Sequence, residues 1–358
     1  QFRIALYYPV SKASERNYPN FTTSIQNKKA MVNLGTTYMG LKLKNPIIVG
    51  SSGLTNSLEN IREAAVNGAA AVVLKSLFEE QITHHANYTL SQGDSTGFYP
   101  EAEDYIRNYT RSNDLDNYLK LISDCKKAVD IPIIASINCV SASEWIDFAQ
   151  RIEEAGADAI ELNIFVLPSN PLNKGELNEA IYFEILERIL NTVKIPVSAK
   201  ISYYFSGLAS MIVKLSWTGI SGLVMFNRFF SPDIDIERFE IKATNVFSLS
   251  TELSTSLRWV AMLSSKVHCD IAASTGIHDG KAVIKQLLAG AKAVQIASVL
   301  YKKGFKEIPL MLDEITDWMK RHNYKSLDQF TGKMSVKEAE NPAAYERVQF
   351  MKHFSGIE

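Results

Sequence analysis

Two kinds of apolar segment alternate along this chain, and each ends in polar residues. The first kind follows a glycine: NGAAAVVLKS around Gly68, AGADAIELN around Gly156, TGISGLVMFN around Gly219 and AGAKAVQIAS around Gly290. In each, a helical stretch stops at the glycine and a short turn follows. Small or branched apolar residues then run into Lys75-Ser76, Asn163, Asn227 or Ala297-Ser298. The second kind lies between these copies, as NPIIVGSSG, IPIIASIN, IPVSAKIS and CDIAASTG. Together they predict eight strands: Ile47–Ser52, Ala70–Ser76, Pro132–Asn138, Ala159–Phe165, Pro196–Ser202, Gly222–Asn227, Asp270–Thr275 and Ala293–Val299. Helical spacing fills the intervals, most clearly in EWIDFAQRIEEAG and EAIYFEILERILNTVK. Near-continuous apolar strands are buried on both faces, as in parallel sheets. The pattern predicts a closed (β/α)8 TIM barrel with its polar strand ends gathered on the C-terminal face.

LGTTYMGLKLKNP reads as a β-hairpin turned at Gly40 that caps the barrel bottom. Two connections are too long for the repeat: Leu77 to about Asn113 after strand two, and Arg228 to about Thr251 after strand six. Loops of that length are usually functional lids or disordered linkers. The first holds Phe98, Tyr99, Tyr105 and Tyr109, too aromatic for disorder, and both emerge where they can cover a ligand. Residues 1–30 read as a poorly ordered extension, since QFRIALYYPV lacks both the long apolar stretch and the cleavage site of a signal peptide. The barrel is expected over 31–335, followed by a tail over 336–358.

Composition narrows the picture. The 358 residues are 46% hydrophobic and 22% charged, with net charge -1, which suits a soluble globular protein. Near-neutrality leaves no electrostatic footprint for nucleic acid. The three cysteines Cys125, Cys139 and Cys269 form no CxxC pair, which points to a reduced, cytoplasmic compartment. No apolar run approaches the roughly 20 residues needed to span a bilayer, so no membrane partner is expected. No metal is expected either, because His84-His85 are adjacent rather than helix-spaced and no HExxH accompanies them.

The strand ends carry the candidate chemistry. Lys75 and Lys200 each terminate a long apolar run. Such a lysine either pairs with a carboxylate at the rim or faces an anionic ligand or electron-rich ring. Asn138, Asn163 and Asn227 end three strands; singly each reads as a turn residue, but together they suit a flat, hydrogen-bonding heterocycle. Ser51-Ser52-Gly53 would join them from strand one. Strands seven and eight end instead in Ser274-Thr275-Gly276 and Ala297-Ser298, small residues suited to the phosphate cradle that barrels build there. His278 follows as a lone loop histidine, more often just solvated. A phosphate-bearing planar cofactor is asked for, and FMN fits best. No GxGxxG fingerprint follows the first strand, which disfavours a dinucleotide bound in Rossmann fashion.

With these residues in place the chain resembles the dihydroorotate dehydrogenase family of FMN barrels, from about Val32 to about Lys333. The bacterial dihydroorotate dehydrogenase-like branch looks closest, through NPIIVGSSGLT, VVLKSLFEEQ, ELNIF, FNRFFSPDID and Gly332-Lys333-Met334-Ser335. The resemblance implies that Ser51, Ser52 and Gly53 lie against the flavin, and that Lys75 and Ser76 contact the ring and the substrate's charged group. It places Asn138 and Asn163 near flavin and substrate, Asn227 on substrate, and Lys200 at the flavin N1–O2 edge. Thr275, Gly276, Ala297 and Ser298 would hold the phosphate. Three departures stand out, one being a phosphate motif thinner in glycine, with Ser274-Thr275-Gly276 where the family has a glycine pair. Where the family carries a cysteine or serine base after strand four, both registers of this chain put Val166 or Leu167. The family's N-S-M-G loop after strand two is replaced by Gly97-Phe98-Tyr99-Pro100-Glu101-Ala102-Glu103.

The reading that follows is an FMN-dependent dehydrogenase acting on CH-CH bonds in pyrimidine metabolism. Hydride would pass between a dihydropyrimidine-like substrate and flavin N5. Ser169 is the first candidate to replace the missing base; Cys139, otherwise a small packed thiol, and Tyr203 or Tyr204 follow. One alternative is a phosphate-binding barrel lyase or isomerase using a lysine. Another is a non-catalytic flavin-binding paralogue. No amphipathic stripe in residues 1–30 suggests quinone access, so a soluble acceptor is expected, and the resemblance implies a homodimer.

Overall fold

The computed structural model describes residues 32–78, 100–139, 145–229 and 231–346. Strands β1 (Thr36–Tyr38) and β2 (Leu41–Leu43) pair antiparallel through Met39 and Gly40, both at positive φ, as a two-residue turn of right-handed twist demands. Eight parallel strands follow: β3 (Ile47–Val49), β4 (Ala71–Val73), β6 (Ile133–Cys139), β7 (Ala159–Ile164), β8 (Val197–Ile201), β9 (Gly222–Met225), β12 (Asp270–Ser274) and β13 (Ala293–Ile296). β3 pairs with both β4 and β13, and β4 with β6, so the sheet closes on itself as expected. A short β5 (Leu77–Phe78) continues the second strand beside β6.

The helices form the outer layer. They are α1 (Leu58–Val66), α2 (Pro100–Ala128), α3 (Trp145–Glu154), α4 (Gly175–Leu190), α5 (Leu208–Ser216), α6 (Leu253–Leu263), α7 (Gly280–Ala289), α8 (Ser298–Lys303) and α9 (Glu307–Arg321). The four repeat glycines take left-handed φ of 98°, 94°, 99° and 115°, which lets each helix turn directly into its strand. α7 shows the full grammar: the Asp279 side chain caps its start by accepting from the Ala282 N–H, and Gly290 ends it.

Strand alternation sorts the core into two parts. Inward-facing Ile48, Val73, Ile134 and Val224 pack with Tyr38, Met39 and Leu43 from the hairpin, which therefore plugs the barrel bottom. The Met39 N–H is tied down by the Asp270 carboxylate at 2.8 Å. Outward-facing residues such as Ile47, Val49 and Val72 pack under the helices. Fully burying each such side chain contributes roughly 1.5–3 kcal/mol.

Three local readings need correction. The stretch after strand two is not a loop to Asn113, because α2 is already helical from Pro100. The connection after strand six is not irregular throughout: Ser231–Asp235 (β10) and Glu240–Thr244 (β11) form an antiparallel hairpin. Val299, expected in strand eight, lies in α8. The extension 1–30, His84-His85 and Phe98-Tyr99 lie outside the described residues, as do the side chains of Tyr105, Tyr109 and Cys139. Among the described residues no helix is long and apolar enough to cross a membrane.

Candidate active site

Moving up β6, β7 and β8, the same alternation that fills the bottom with apolar groups brings polar ones inward. Register sets Asn138 beside Asn163 and Asn163 beside Lys200 on consecutive strands. One layer below, Ser136, Glu161 and Ser198 align in the same way. Glu161 is 1% exposed and Lys200 8%. The Lys200 ammonium lies 3.6 Å from Glu161 Oε1 and donates to Gln295 Oε1 at 3.1 Å. The Gln295 amide in turn donates to Glu161 Oε2. A buried charge persists only when paired and hydrogen-bonded: Lys200 meets both conditions, and Glu161 does so through Oε2, whereas its Oε1 accepts no hydrogen bond from any described residue. Lys200 thus does pair with a carboxylate, but a buried one rather than one at the rim. Glu161 and Gln295 escaped the sequence reading. Their signal was an ionisable or amide side chain at an inward position of an apolar strand, in AIELN and AVQIAS.

The strand ends themselves are linked. Asn227 donates to Asn163 Oδ1 at 2.6 Å. Ser76 shares hydrogen bonds with Ser51 at 3.1 Å and Ser136 at 2.8 Å. Asn138 Oδ1 is buried and accepts no hydrogen bond from any described residue. Lys75 is half-buried and has no carboxylate partner among the described residues.

After β12 the backbone turns sharply. Thr275 (φ 75°) and Gly276 (φ 76°) are both left-handed, a conformation rare for threonine. A Cβ on Gly276 would run into the backbone of Leu253 and Glu252, so only glycine fits. A Cβ on Gly53 would meet the Tyr301 hydroxyl at 2.6 Å. Ser298 Oγ accepts from the Ser248 N–H at 3.0 Å, and Ser248 Oγ shares a hydrogen bond with His278 Nε2 at 3.1 Å. His278 is therefore not a solvated loop residue. Burial, and then the nearby Lys302 cation, lower its pKa from the ordinary 6.5.

A cavity of about 460 Å³ opens here, on the C-terminal face. Ser51, Ser52, Lys200, Asn227, Thr275, Gly276, Ala297 and Ser298 are among the residues that line it. Asn163 joins through Asn227, and Ser76 through Ser51. Lys75, Asn138 and Ser169 do not border its described wall. A second cavity of about 310 Å³ shares Asn227, Arg228, Ser274 and Thr275 with the first, and adds Tyr203, Tyr204 and Phe229. In the β7 loop, Val166 is half-buried and its N–H donates to the Tyr182 hydroxyl at 3.2 Å, whereas Leu167 and Ser169 are exposed. Ser169 borders neither cavity. Burial raises the Tyr203 pKa above 10.0, so its phenol stays protonated and is poorly suited to accept a proton.

A closed (β/α)8 barrel with hydroxyls, amides and a lysine converging on a C-terminal cavity has the layout of a barrel enzyme. The chain belongs to the dihydroorotate dehydrogenase family, whose sequence profile matches residues 33–319. It is similar to the catalytic subunit of dihydroorotate dehydrogenase B (NAD(+)) of Thermoplasma volcanium, 29% identical over 312 residues, which cover 84% of this chain and 98% of that one. The corresponding subunit of Methanocaldococcus jannaschii is 27% identical over 84% of this chain and 97% of its own length. Dihydroorotate dehydrogenase A (fumarate) of Lactococcus lactis subsp. cremoris is 25% identical over 84% of this chain and 99% of its own. The protein is accordingly an oxidoreductase acting on CH–CH bonds.

Proposed function

We propose that this chain is an FMN-dependent dehydrogenase of a dihydropyrimidine-like ring. The carrying observation is the 460 Å³ cavity, whose lining includes the buried Lys200 together with the Thr275-Gly276 turn, Ala297 and Ser298. The residues suit the cofactor: the small side chains at Ala297 and Ser298 and the left-handed Thr275-Gly276 turn leave room for a phosphate. Thr275, Gly276, Ala297 and Ser298 would hold the phosphate. Ser51, Ser52, Gly53, Ser76, Asn138 and Asn163 would hold the ring, with Lys75 reaching both ring and substrate. When bound, FMN supplies a two-electron acceptor for the hydride leaving the substrate carbon. Lys200 supplies positive charge at the edge where reduction adds negative charge. Asn163 and Asn227, fixed by their mutual hydrogen bond, orient the substrate.

A proton must also leave the substrate, and Ser169 is assigned that work, with its loop folded over the cavity from its exposed position. The lyase alternative needs a neutral, reachable lysine; the ion pair with Glu161 disfavours Lys200 for it, and Lys75 does not border the cavity's described wall. The electron acceptor is proposed to be soluble, and the protein a cytoplasmic homodimer. The relatives named as catalytic subunits make a second subunit the rival assembly.

Anaerobic titration of the purified protein with dihydroorotate, dihydrouracil and dihydrothymine, followed by flavin absorbance, tests the reading. A yellow protein bleached by one of them supports it, and a colourless protein that recovers no absorbance with added FMN ends it. A positioned base contributes about 10²–10⁴-fold, so Ser169→Ala should slow bleaching by that factor. An unchanged rate removes Ser169 from the mechanism.

A further inference from the structure

Glu161 and Lys200 are the two charged side chains buried among the described residues, and of the two it is Lys200 that lines the cavity. They come from the adjacent strands β7 and β8. Gln295, which also lines the cavity, comes from β13, whose partners are β12 and β3. The three side chains close a ring across the barrel interior. Lys200 Nζ donates to Gln295 Oε1 at 3.1 Å, the Gln295 amide donates to Glu161 Oε2, and Glu161 Oε1 lies 3.6 Å from Lys200 Nζ. Charge fixes the amide's orientation, since turning it over would set its NH2 against the ammonium and its oxygen against the carboxylate.

The two contacts of the ammonium differ in kind. The amide oxygen is within hydrogen-bond reach, whereas the carboxylate oxygen lies just beyond it and acts through charge. Gln295 therefore holds the ammonium at the wall that both residues line, and Glu161 acts on it from behind. In a water-poor interior a charge so placed is weakly screened. The phenols close to Glu161 do not offset it. Burial, and then the Glu161 carboxylate itself, push Tyr38 far above its ordinary 10.0. Burial raises Tyr118 as well, and its hydroxyl is engaged by the Ser136 backbone. Both stay neutral, so the field this ring sends into the cavity is that of Lys200 less the part cancelled by Glu161.

We infer, on the FMN reading above, that Glu161 and Gln295 are positioning residues that set how much of the Lys200 charge the flavin meets. Glu161 subtracts from that charge, and Gln295 preserves it by keeping the ammonium at the cavity wall. Partial cancellation limits how far the site favours reduced flavin, so that electrons taken from the substrate can still be passed on.

The test is the flavin reduction equilibrium of the purified protein, read by absorbance against a redox dye of known potential. Glu161→Gln removes the charge at nearly constant shape and should shift the equilibrium about 10-fold toward reduced flavin, which is about 30 mV for a two-electron couple. Gln295→Met keeps the length but not the acceptor, lets the ammonium close on Glu161, and should shift the equilibrium the other way. Glu161→Asp keeps the charge and should leave it near that of the unaltered protein. A merely structural role would lower stability in these variants without that reversal of sign. An equilibrium unmoved in Glu161→Gln, or moved toward oxidised flavin, overturns the proposal. Should Glu161→Gln fail to fold, Gln295→Met decides: a shift toward oxidised flavin supports the proposal, and any other result overturns it. A yellow protein with unmoved equilibria keeps the FMN reading and loses this one. A protein that stays colourless with added FMN loses both.

Discussion

The two ends of the barrel interior are built by one alternating pattern and do opposite work. At the N-terminal end Ile48, Val73, Ile134 and Val224 close on Tyr38, Met39 and Leu43, and that space is filled by apolar side chains. One or two inward positions further along the strands, Glu161, Lys200 and Gln295 occupy the equivalent places, with Asn163 above them. The lower end contributes stability through area removed from water. The upper end holds charge away from water, which is costly unless every charge is matched. The same strands therefore carry a plug and a polar floor, and the boundary between them lies within β7, between Ala159 and Glu161.

That contrast can be broken most severely at its boundary. Glu161→Leu strands the Lys200 ammonium in an 8% exposed site and should cost about 3–5 kcal/mol in urea unfolding. Adding Lys200→Met removes the stranded charge and should recover most of the loss. A single-variant cost below ~1 kcal/mol would mean that the pair is not buried. At the other end Ile134→Ala should cost a comparable ~2–5 kcal/mol but leave any bound flavin's absorbance unchanged.

A smaller effect sharpens the division at the rim. Ser298→Asp sets negative charge in the proposed phosphate cradle, where like-charge contact is worth several kcal/mol, so FMN affinity should fall by about 100-fold. Flavin retained at the original affinity would place the phosphate elsewhere. Lys200 lines the cavity while Glu161 does not, so their pair presents its positive end to the cavity. Glu161→Gln/Lys200→Met should lower the flavin reduction potential, by about 30 mV for each 1.4 kcal/mol of lost stabilisation. An unmoved potential excludes Lys200 from that role.

The smallest expected change is in pH dependence. Burial and Lys302 lower the His278 pKa below the ordinary 6.5, so near pH 6 the folded chain binds fewer protons than the unfolded one. The stability this provides is present above about pH 6.5 and is lost as pH falls through the folded value. His278→Gln should flatten that part of the stability profile, measured by urea unfolding between pH 5 and 7.5. An identical slope in both proteins would show that His278 does not titrate with folding.

What could be read along the chain was local. The Gly40 hairpin, the four helix-to-strand turns and all eight barrel strands depend on neighbours a few residues apart, and each was legible. The β10–β11 hairpin was local too, yet its Asp and Glu residues have low strand propensity and its turn places Phe239, not glycine or asparagine, at positive φ. Polar strand ends marked out part of the cavity's wall but not Val246, Phe247 or Tyr301. They did not reveal that His278 folds back onto Ser248, a partner 30 residues away.

By itself, then, the sequence determined the alternation of strand types, the turns that separate them, and the side of each strand that would carry polar groups. Only closure of the barrel decided which of those groups would meet. Lys200 and Gln295 are 95 residues apart in sequence and 3.1 Å apart in space; Gln295 and Glu161 are separated by 134 residues. A hydrogen bond or ion pair has a reach of only about 3–4 Å, whereas strand periodicity gives a side chain's direction and not its neighbour across the barrel. That neighbour is set by strand order and register, which exist only once the last strand pairs with the first.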